Sequence, residues 1–410
     1  MTQVEIIEGH RKIDPPPGVP VWDVDPYDEA ILRDPHAFYA ELRRLGDFVY
    51  IPKYSVLAMG RFSTVREVFS DHTRFLSSHG VGLDDYKLIP PYRPPSIILE
   101  VDPPDHTKTR KILTRALSPK VVRGLMDMFL ATAEPLIDDL IARGPFEGVE
   151  DFAEVFPTSV FPIAVGMSNV SARHLVDYGA MVFNAVGPNN ALRQAAFKAA
   201  EEIVPIVTRA CQRDALSKDG LGALVYQAAD AGEITEDEAG MLVRSFFSAG
   251  VDTTVTGIGN AMYCFGQFPD QWEALKRDPT QIRAAFEEIL RFTSPVHTFG
   301  RTAGVDTEVA GTKIEAGTKI ICVLGAANSD PEKWGDPEVF RIDRKPVGHV
   351  AFGAGIHGCV GQNIARGELE AVLSVMLRKV DRIEFTGAPE WRPNNAICAL
   401  DKLPMQFIGK

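Results

Sequence analysis

The chain has 410 residues, 45% hydrophobic and 24% charged, with a formal net charge of −12. This is enough apolar material for a sizeable core, while the acidic balance argues against a general nucleic-acid binder, whose affinity rests on Lys and Arg contacts to phosphates. Five widely spaced cysteines without a CxxC suit neither a disulfide framework nor a zinc site, and no run of about 18 apolar residues suggests a membrane span.

Residues 1–26, rich in proline and charge, read as an N-terminal arm that wraps the surface or is partly disordered. They lack the basic start and apolar stretch of a secretory signal, so a cytoplasmic location is expected. From 27 to 410 no low-complexity linker, repeat or charge block intervenes, and one catalytic domain is the economical expectation. Helical periodicity marks DPHAFYAELRRLG, SPKVVRGLMDMFLATAEPLIDDLIARG and GELEAVLSVMLRKV. Short strand-like pieces fall in FVYIPKYSVLAMG, TEVAGTKIEAGTKIICVL and LPMQFIG. The class is mainly α with small sheets.

Between the first strands and the first long helices lies PPYRPPS, where prolines fix the backbone around Arg93 and Ser96. It reads either as a surface loop with a solvated arginine or as a buried guanidinium that an anionic ligand would neutralise. The longest helix opens at the capping-box pattern Thr235-Glu-Asp-Glu238 and runs to about Phe268, before Pro269. Its centre, SFFSAGVDTTVTG, is built of poor helix formers. Ser245, Ala249 and Thr253, spaced i, i+4, i+8, share one face there.

Near the C-terminus, FGAGIHGCVG sets Cys359 among glycines and before a helix whose positive end would face the sulfur. These residues alone admit a buried thiol in a glycine turn or a single thiolate ligand of haem iron. The chain resembles the cytochrome P450 superfamily: Phe352, Gly355, His357, Cys359 and Gly361 match its ligand loop F-x-x-G-x-H/R-x-C-x-G. His106 and Arg110 match HxxxR, Glu288 and Arg291 match ExxR, and Arg301 falls where a further haem-propionate ligand is expected. Ala249, Gly250, Asp252 and Thr253 match the oxygen-activation segment A/G-G-x-D/E-T. The resemblance covers roughly residues 25 to 410.

It implies the family's fold, with haem b (iron protoporphyrin IX) between the long helix and the helix after the Cys359 loop. Cys359 would be the axial ligand; His106, Arg110, Arg301 and His357 would meet the propionates, with Phe352 and Gly361 in the cofactor loop. Asp252 and Thr253 would deliver protons during oxygen activation. The sequence carries no flavin or nicotinamide fingerprint, so electrons are expected from separate proteins, which the resemblance implies are a two-iron ferredoxin and its NAD(P)H-dependent reductase. One departure stands out: Val339 replaces an arginine that usually completes the ExxR network, leaving Arg341 or Arg344 as substitutes.

Further runs, including P-RPPS-ILE-DPP, VFNA-GP-N-LRQ and SAG-DTTV-GIG, resemble a bacterial subgroup that oxidises para-substituted benzoic acids. By that resemblance Arg93, Ser96 and Ser245 hold a carboxylate with Arg244 nearby. Phe183 and Phe299 sandwich the ring, and Leu99, Ala249 and Val296 complete the walls. The chain departs from the subgroup at Val186 and Gly300, each a phenylalanine there, and at His297, a glutamine there. The lost aromatic volume would admit longer acids such as cinnamates. The expected activity is hydroxylation or O-demethylation of small aromatic acids. Its rivals are a hydroxylase of neutral molecules, an H2O2-driven peroxygenase and a haem-based ligand sensor.

Overall fold

The computed structural model describes residues 5–167 and 170–410, so positions 1–4 of the expected arm lie outside the described residues. Residues 5–26 lie along the surface. Ile6–Ile7 pairs with His10–Arg11, the His10 ring bonds the Tyr54 carbonyl at 2.8 Å, and Val21 bridges to Tyr50.

Helices dominate. The largest apolar cluster joins Asp105–Ala116, Met126–Arg143, Val155–Val165, Ala172–Asn184 and Ala191–Ala210 to the long central helices and to Gln362–Lys379. A second cluster lies under a five-stranded mixed sheet ordered Val49–Ile51, Val56–Met59, Lys319–Val323, Thr298–Ala303 and Phe75–Leu76. Ile320 pairs with Leu57 in parallel and with Arg301 antiparallel. Phe299 and Arg301, two residues apart on one strand, therefore project to the same face of the sheet.

The long helix starts as its sequence predicts: the Thr235 hydroxyl accepts from the Glu238 N–H at 3.1 Å, and Glu238 accepts from the Thr235 N–H at 2.8 Å. It then runs as two segments, Glu236–Gly250 and Asp252–Gln267, broken at Val251 with φ −99° and ψ −65°. Hydroxyls crowd the break. Ser248, Thr253, Thr254 and Thr256 bond the carbonyls of Arg244, Ala249, Gly250 and Asp252, each four residues back. Such back-bonding competes with the helix ladder and bends it. Gly179 on Ala172–Asn184 lies against this point, where a Cβ would come 2.5 Å from the Asp252 Cβ. Among the described residues no helix is long and apolar enough to cross a membrane.

Candidate active site

Two of the glycines before Cys359 are required by backbone shape. Gly353 and Gly355 take φ +70° and +67°, and a Cβ on Gly355 would meet the Phe69 carbonyl oxygen at 2.6 Å. The loop closes through the Cys359 N–H donating to the Phe352 carbonyl at 2.8 Å, with the Arg366 guanidinium over the Phe352 ring. Helix Gln362–Lys379 begins directly after Gly361. Burial pushes the Cys359 thiol up, and the N–H groups of Gly361 and Gln362, with the charges of Arg110 and Arg366, act in the opposite sense. A helix start and two guanidiniums thus work against burial and towards the thiolate, although burial outweighs them.

Basic side chains gather beside this loop. His106 and Arg110 sit one turn apart on Asp105–Ala116, and the His106 ring lies 4.3 Å from that of His357. Arg301 is buried, its Nη1 donating to the Gly300 carbonyl at 2.9 Å, while Arg110 donates to the Gly358 carbonyl. Asp102 is the acid closest to them, 3.9 Å from His357, too far for a hydrogen bond. His106 Nε2 and both ring nitrogens of His357 are buried without a protein partner. Burial first, then the charges of His357 and Arg110, push His106 down to about 4. Orphaned donors and excess positive charge fit a dianion beside a thiolate, which is what the two propionates of haem present to a protein.

Behind the loop, Glu288 and Arg291 form a fully buried bidentate pair at 2.8 and 2.9 Å. The third member, left open between Arg341 and Arg344, is Arg344, whose Nε reaches Glu288 at 3.0 Å. Arg341 contributes only a long backbone contact of 3.4 Å. Arg291 also donates to the carbonyls of Asn328 and Pro337, and Arg344 to those of Trp334, Asp336 and Val339. The network pins the meandering segment that leads into the ligand loop.

On the opposite side, Ser245 and Thr253 are half-buried and Ala249 is exposed, whereas their neighbours Arg244, Phe246, Phe247 and Asp252 are buried. The i, i+4, i+8 face is therefore the one the protein leaves uncovered. Asp252 turns away from it. Its Oδ1 accepts from Arg392 Nη2 at 3.1 Å and its Oδ2 is buried without a partner. Burial raises the Asp252 carboxyl, and Arg392 opposes the rise.

Four of the expected ring-wall residues, Phe183, Val186, Val296 and Phe299, pack into one cluster with Ala396, Ile397 and Ala399. A cavity of about 10 Å³, room for one water, lies against Val186, Phe299 and Gly300. The loop Val81–Leu83 fills the neighbourhood: the Gly300 N–H donates to the Val81 carbonyl at 2.6 Å and the Leu83 N–H to that of Val186 at 3.2 Å. A Cβ at Gly300 would stand 2.7 Å from the Gly82 carbonyl oxygen. Backbone, not open space, occupies the volume beside Gly300. His297 is buried, and burial pushes it down to about 4, so it is neutral.

Arg93 is buried, which removes the solvated reading, but it has a protein partner. Nη1 and Nη2 meet Glu100 at 2.9 and 3.3 Å, Nε donates to the Tyr92 hydroxyl at 3.1 Å, and Nη1 donates to the Pro94 carbonyl at 3.0 Å. Glu100 also accepts from the Ser96 N–H at 2.6 Å and the Tyr86 hydroxyl at 3.0 Å. Arg244 Nη2 reaches the same Pro94 carbonyl at 3.1 Å, and among the described residues no carboxylate pairs with it. The Ser96 oxygen accepts from the Leu99 N–H at 3.1 Å, which leaves its proton to donate. Ser245 donates to the Met241 carbonyl at 3.2 Å. Sequence reasoning missed Glu100 and Arg392. Glu100 lies seven residues from Arg93 in an irregular loop, and Arg392 is 140 residues from Asp252, so no spacing rule connects either pair.

A cysteine under helix-start amides, a cationic cluster with orphaned donors and a broken helix opposite define a haem-thiolate site. The comparisons agree: the family model described as cytochrome P450 matches residues 167–395. The chain is 46% identical over 391 residues to cytochrome P450 CYP199A2 of Rhodopseudomonas palustris, covering 95% of each. It belongs to the cytochrome P450 family, is a monooxygenase and binds haem b. It is also 31% identical to a beta-dihydromenaquinone-9 omega-hydroxylase of Mycobacterium tuberculosis, over 93% of this chain and 78% of that one. Among solved structures it resembles cytochrome P450 CYP109Q5 of Chondromyces apiculatus, with TM-score 0.80, 26% identity and coverage of 95% and 99%.

Proposed function

We propose that the protein inserts one atom of O2 into small aromatic carboxylic acids, para-substituted benzoates or cinnamates, by hydroxylation or O-demethylation. A two-iron ferredoxin, reduced by an NAD(P)H-dependent reductase, would supply the electrons. The observation that carries this reading is the pair of buried guanidiniums, Arg93 and Arg244, converging on the Pro94 carbonyl with one carboxylate, Glu100, which pairs with Arg93. One positive charge is left over in a low-dielectric setting, and an anionic substrate would neutralise it. Glu100 takes most of the Arg93 fork. The substrate carboxylate therefore meets single N–H groups of Arg93 and Arg244 and the Ser96 hydroxyl, and not a bidentate clamp. The similarity to the benzoate-oxidising subgroup at these positions supports the same reading.

Haem b, held through the Cys359 thiolate, supplies the oxygen-activating chemistry. The chain's own residues do the rest. Phe183 and Phe299 flank the ring, with Val296 and Val186 in the same cluster. Ser245, Ala249 and Thr253 line the uncovered helix face, so a carboxylate near Ser245 sits about 12 Å along the helix from Thr253. The far end of the ring is thereby directed to the Thr253 side. The Thr253 hydroxyl, bonded to the Ala249 carbonyl, and the Asp252 carboxyl form the alcohol–acid pair that passes protons inward. That pair disfavours a peroxygenase, which would use the substrate's carboxylate instead. When a methoxy carbon is hydroxylated, the resulting hemiacetal loses formaldehyde and leaves the phenol.

Spectral titration tests the assignment. 4-Methoxybenzoate or 4-methoxycinnamate should shift the ferric haem to high spin, and the corresponding methyl esters should not. Equal shifts with acid and ester would remove the carboxylate anchor and return the neutral-substrate reading.

A further inference from the structure

Asp252 pairs with the Arg392 guanidinium, and a second carboxyl, Glu154, lines the same small cavity as Arg392. Arg392, on the strand Glu390–Arg392, holds Asp252 Oδ1 at 3.1 Å, and its own Nε is buried without a partner. A cavity of about 10 Å³ is lined by Arg392, Glu154 and Thr256, with Arg392 and Glu154 its charged wall residues. That volume is about the size of one water, and the three side chains are of the polar kind that could partner one. Thr256 Oγ1 also donates to the Asp252 carbonyl at 2.7 Å, so the cavity abuts the broken turn itself. Glu154 is half-buried at the start of Val155–Val165 and so stands between this cavity and solvent.

We infer that Glu154 and Asp252 share one proton across Arg392, and that Glu154 is the outer station through which protons enter the oxygen-activation site. The inference rests on the reading of Asp252 and Thr253 as the proton-passing pair. Its basis is charge balance: two carboxylates against one guanidinium would leave an uncompensated buried negative charge, which one proton removes. The remaining charges around Glu154 do not alter this. Arg173 is exposed and paired with Asp177 at 2.6 Å, and Glu150, like Asp252, is acidic. Arg392 faces Asp252. Burial, which acts first on both carboxyls, raises each. Arg392 stays protonated throughout and positions the two acids. In one delivery the Asp252 carboxyl swings from Arg392 towards the uncovered face and passes its proton to the Thr253 oxygen as the hydroxyl proton moves inward. Asp252 then takes the proton from Glu154 by way of the cavity water, and Glu154 is recharged from solvent. Each group gains one proton for each it gives.

Infrared difference spectra of the substrate-free holoenzyme at neutral pH test the sharing without turnover. Glu154→Gln and Asp252→Asn should each remove the same carboxylic-acid C=O band, because either change leaves one carboxylate for one guanidinium. Arg392→Lys should keep that band, and Arg392→Gln should add a second. The buried Glu368 carboxyl, pushed up to about 8 by burial, contributes a band of its own, which Glu368→Gln identifies. A band lost in only one of the two acid variants, or in neither, overturns the shared proton. Delivery is tested separately. Glu154→Gln should lower product formed per NADH consumed by about 10-fold, with the substrate-induced spin shift unchanged and with normal coupling in Arg392→Lys. Unaltered coupling in Glu154→Gln overturns the entry role. The infrared pattern needs no substrate, so its failure is distinguishable from a wrong choice of substrate.

Discussion

Two guanidiniums gather beside one carboxylate behind the cysteine loop, where Glu288 meets both, and beside the uncovered helix face, where Glu100 meets Arg93 and not Arg244. Behind the loop, Arg291 and Arg344 direct nine of their ten N–H donors at protein acceptors, and Asp336, 3.0 Å from Arg344, supplies the second negative charge. Beside the helix, Arg93 and Arg244 direct five of ten donors at acceptors among the described residues, and Glu100 is the single acid paired with them. The same side chains therefore serve opposite ends. A saturated and charge-balanced cluster is scaffold. An unsaturated cluster with one charge in excess suits the anionic substrate we propose.

The comparison breaks most visibly at Glu288. Glu288→Ala strands two buried guanidiniums and should cost about 3–5 kcal/mol, read as a lower denaturant midpoint together with poor haem retention. A stability change below about 1 kcal/mol would show that the carbonyls around Arg291 and Arg344 suffice without the carboxylate. Next in size is the buried, neutral His297. Its folded value of about 4 lies below the unfolded one of 6.5. The unfolded chain thus binds a proton that the fold refuses, and stability falls as pH drops from 6.5 towards 4, by up to about 3 kcal/mol from this group. His297→Gln should flatten that part of the stability–pH profile and leave the profile above pH 7 unchanged. The smallest effect sharpens the cluster beside the helix. Arg244→Leu should weaken binding of the acid by about 10-fold, or about 1.4 kcal/mol, and leave ester binding and thermal stability almost unaffected. An equal loss for acid and ester would assign Arg244 to packing.

Legibility in the sequence followed the range of the interaction. The helix start at Thr235, the turn at Gly353–Gly355, the pairing of His106 with Arg110 and that of Glu288 with Arg291 are short-range patterns, each fixed within a few residues by backbone geometry. So is the weakness at the centre of the long helix, whose threonines bond carbonyls one turn back. The replacement of Val339 by Arg344 was half legible: the sequence offered two arginines, and only the fold placed one guanidinium within 3.0 Å of Glu288. The expectation that losing aromatic side chains at Val186 and Gly300 would enlarge the pocket met a physical limit, because the Val81–Leu83 backbone lies against both positions.

By itself the sequence made legible the helical class, the glycine-caged cysteine loop, the HxxxR and ExxR spacings and the hydroxyl-rich break, because local spacing and residue chemistry suffice for these. The tertiary structure alone decided which charge each buried ion meets: Glu100 for Arg93, Arg392 for Asp252, and no carboxylate among the described residues for Arg244. Those pairings join segments up to 140 residues apart in the chain. They are set by desolvation, which compels a buried charge to find a partner wherever the fold brings one, and no periodicity in the sequence records that choice.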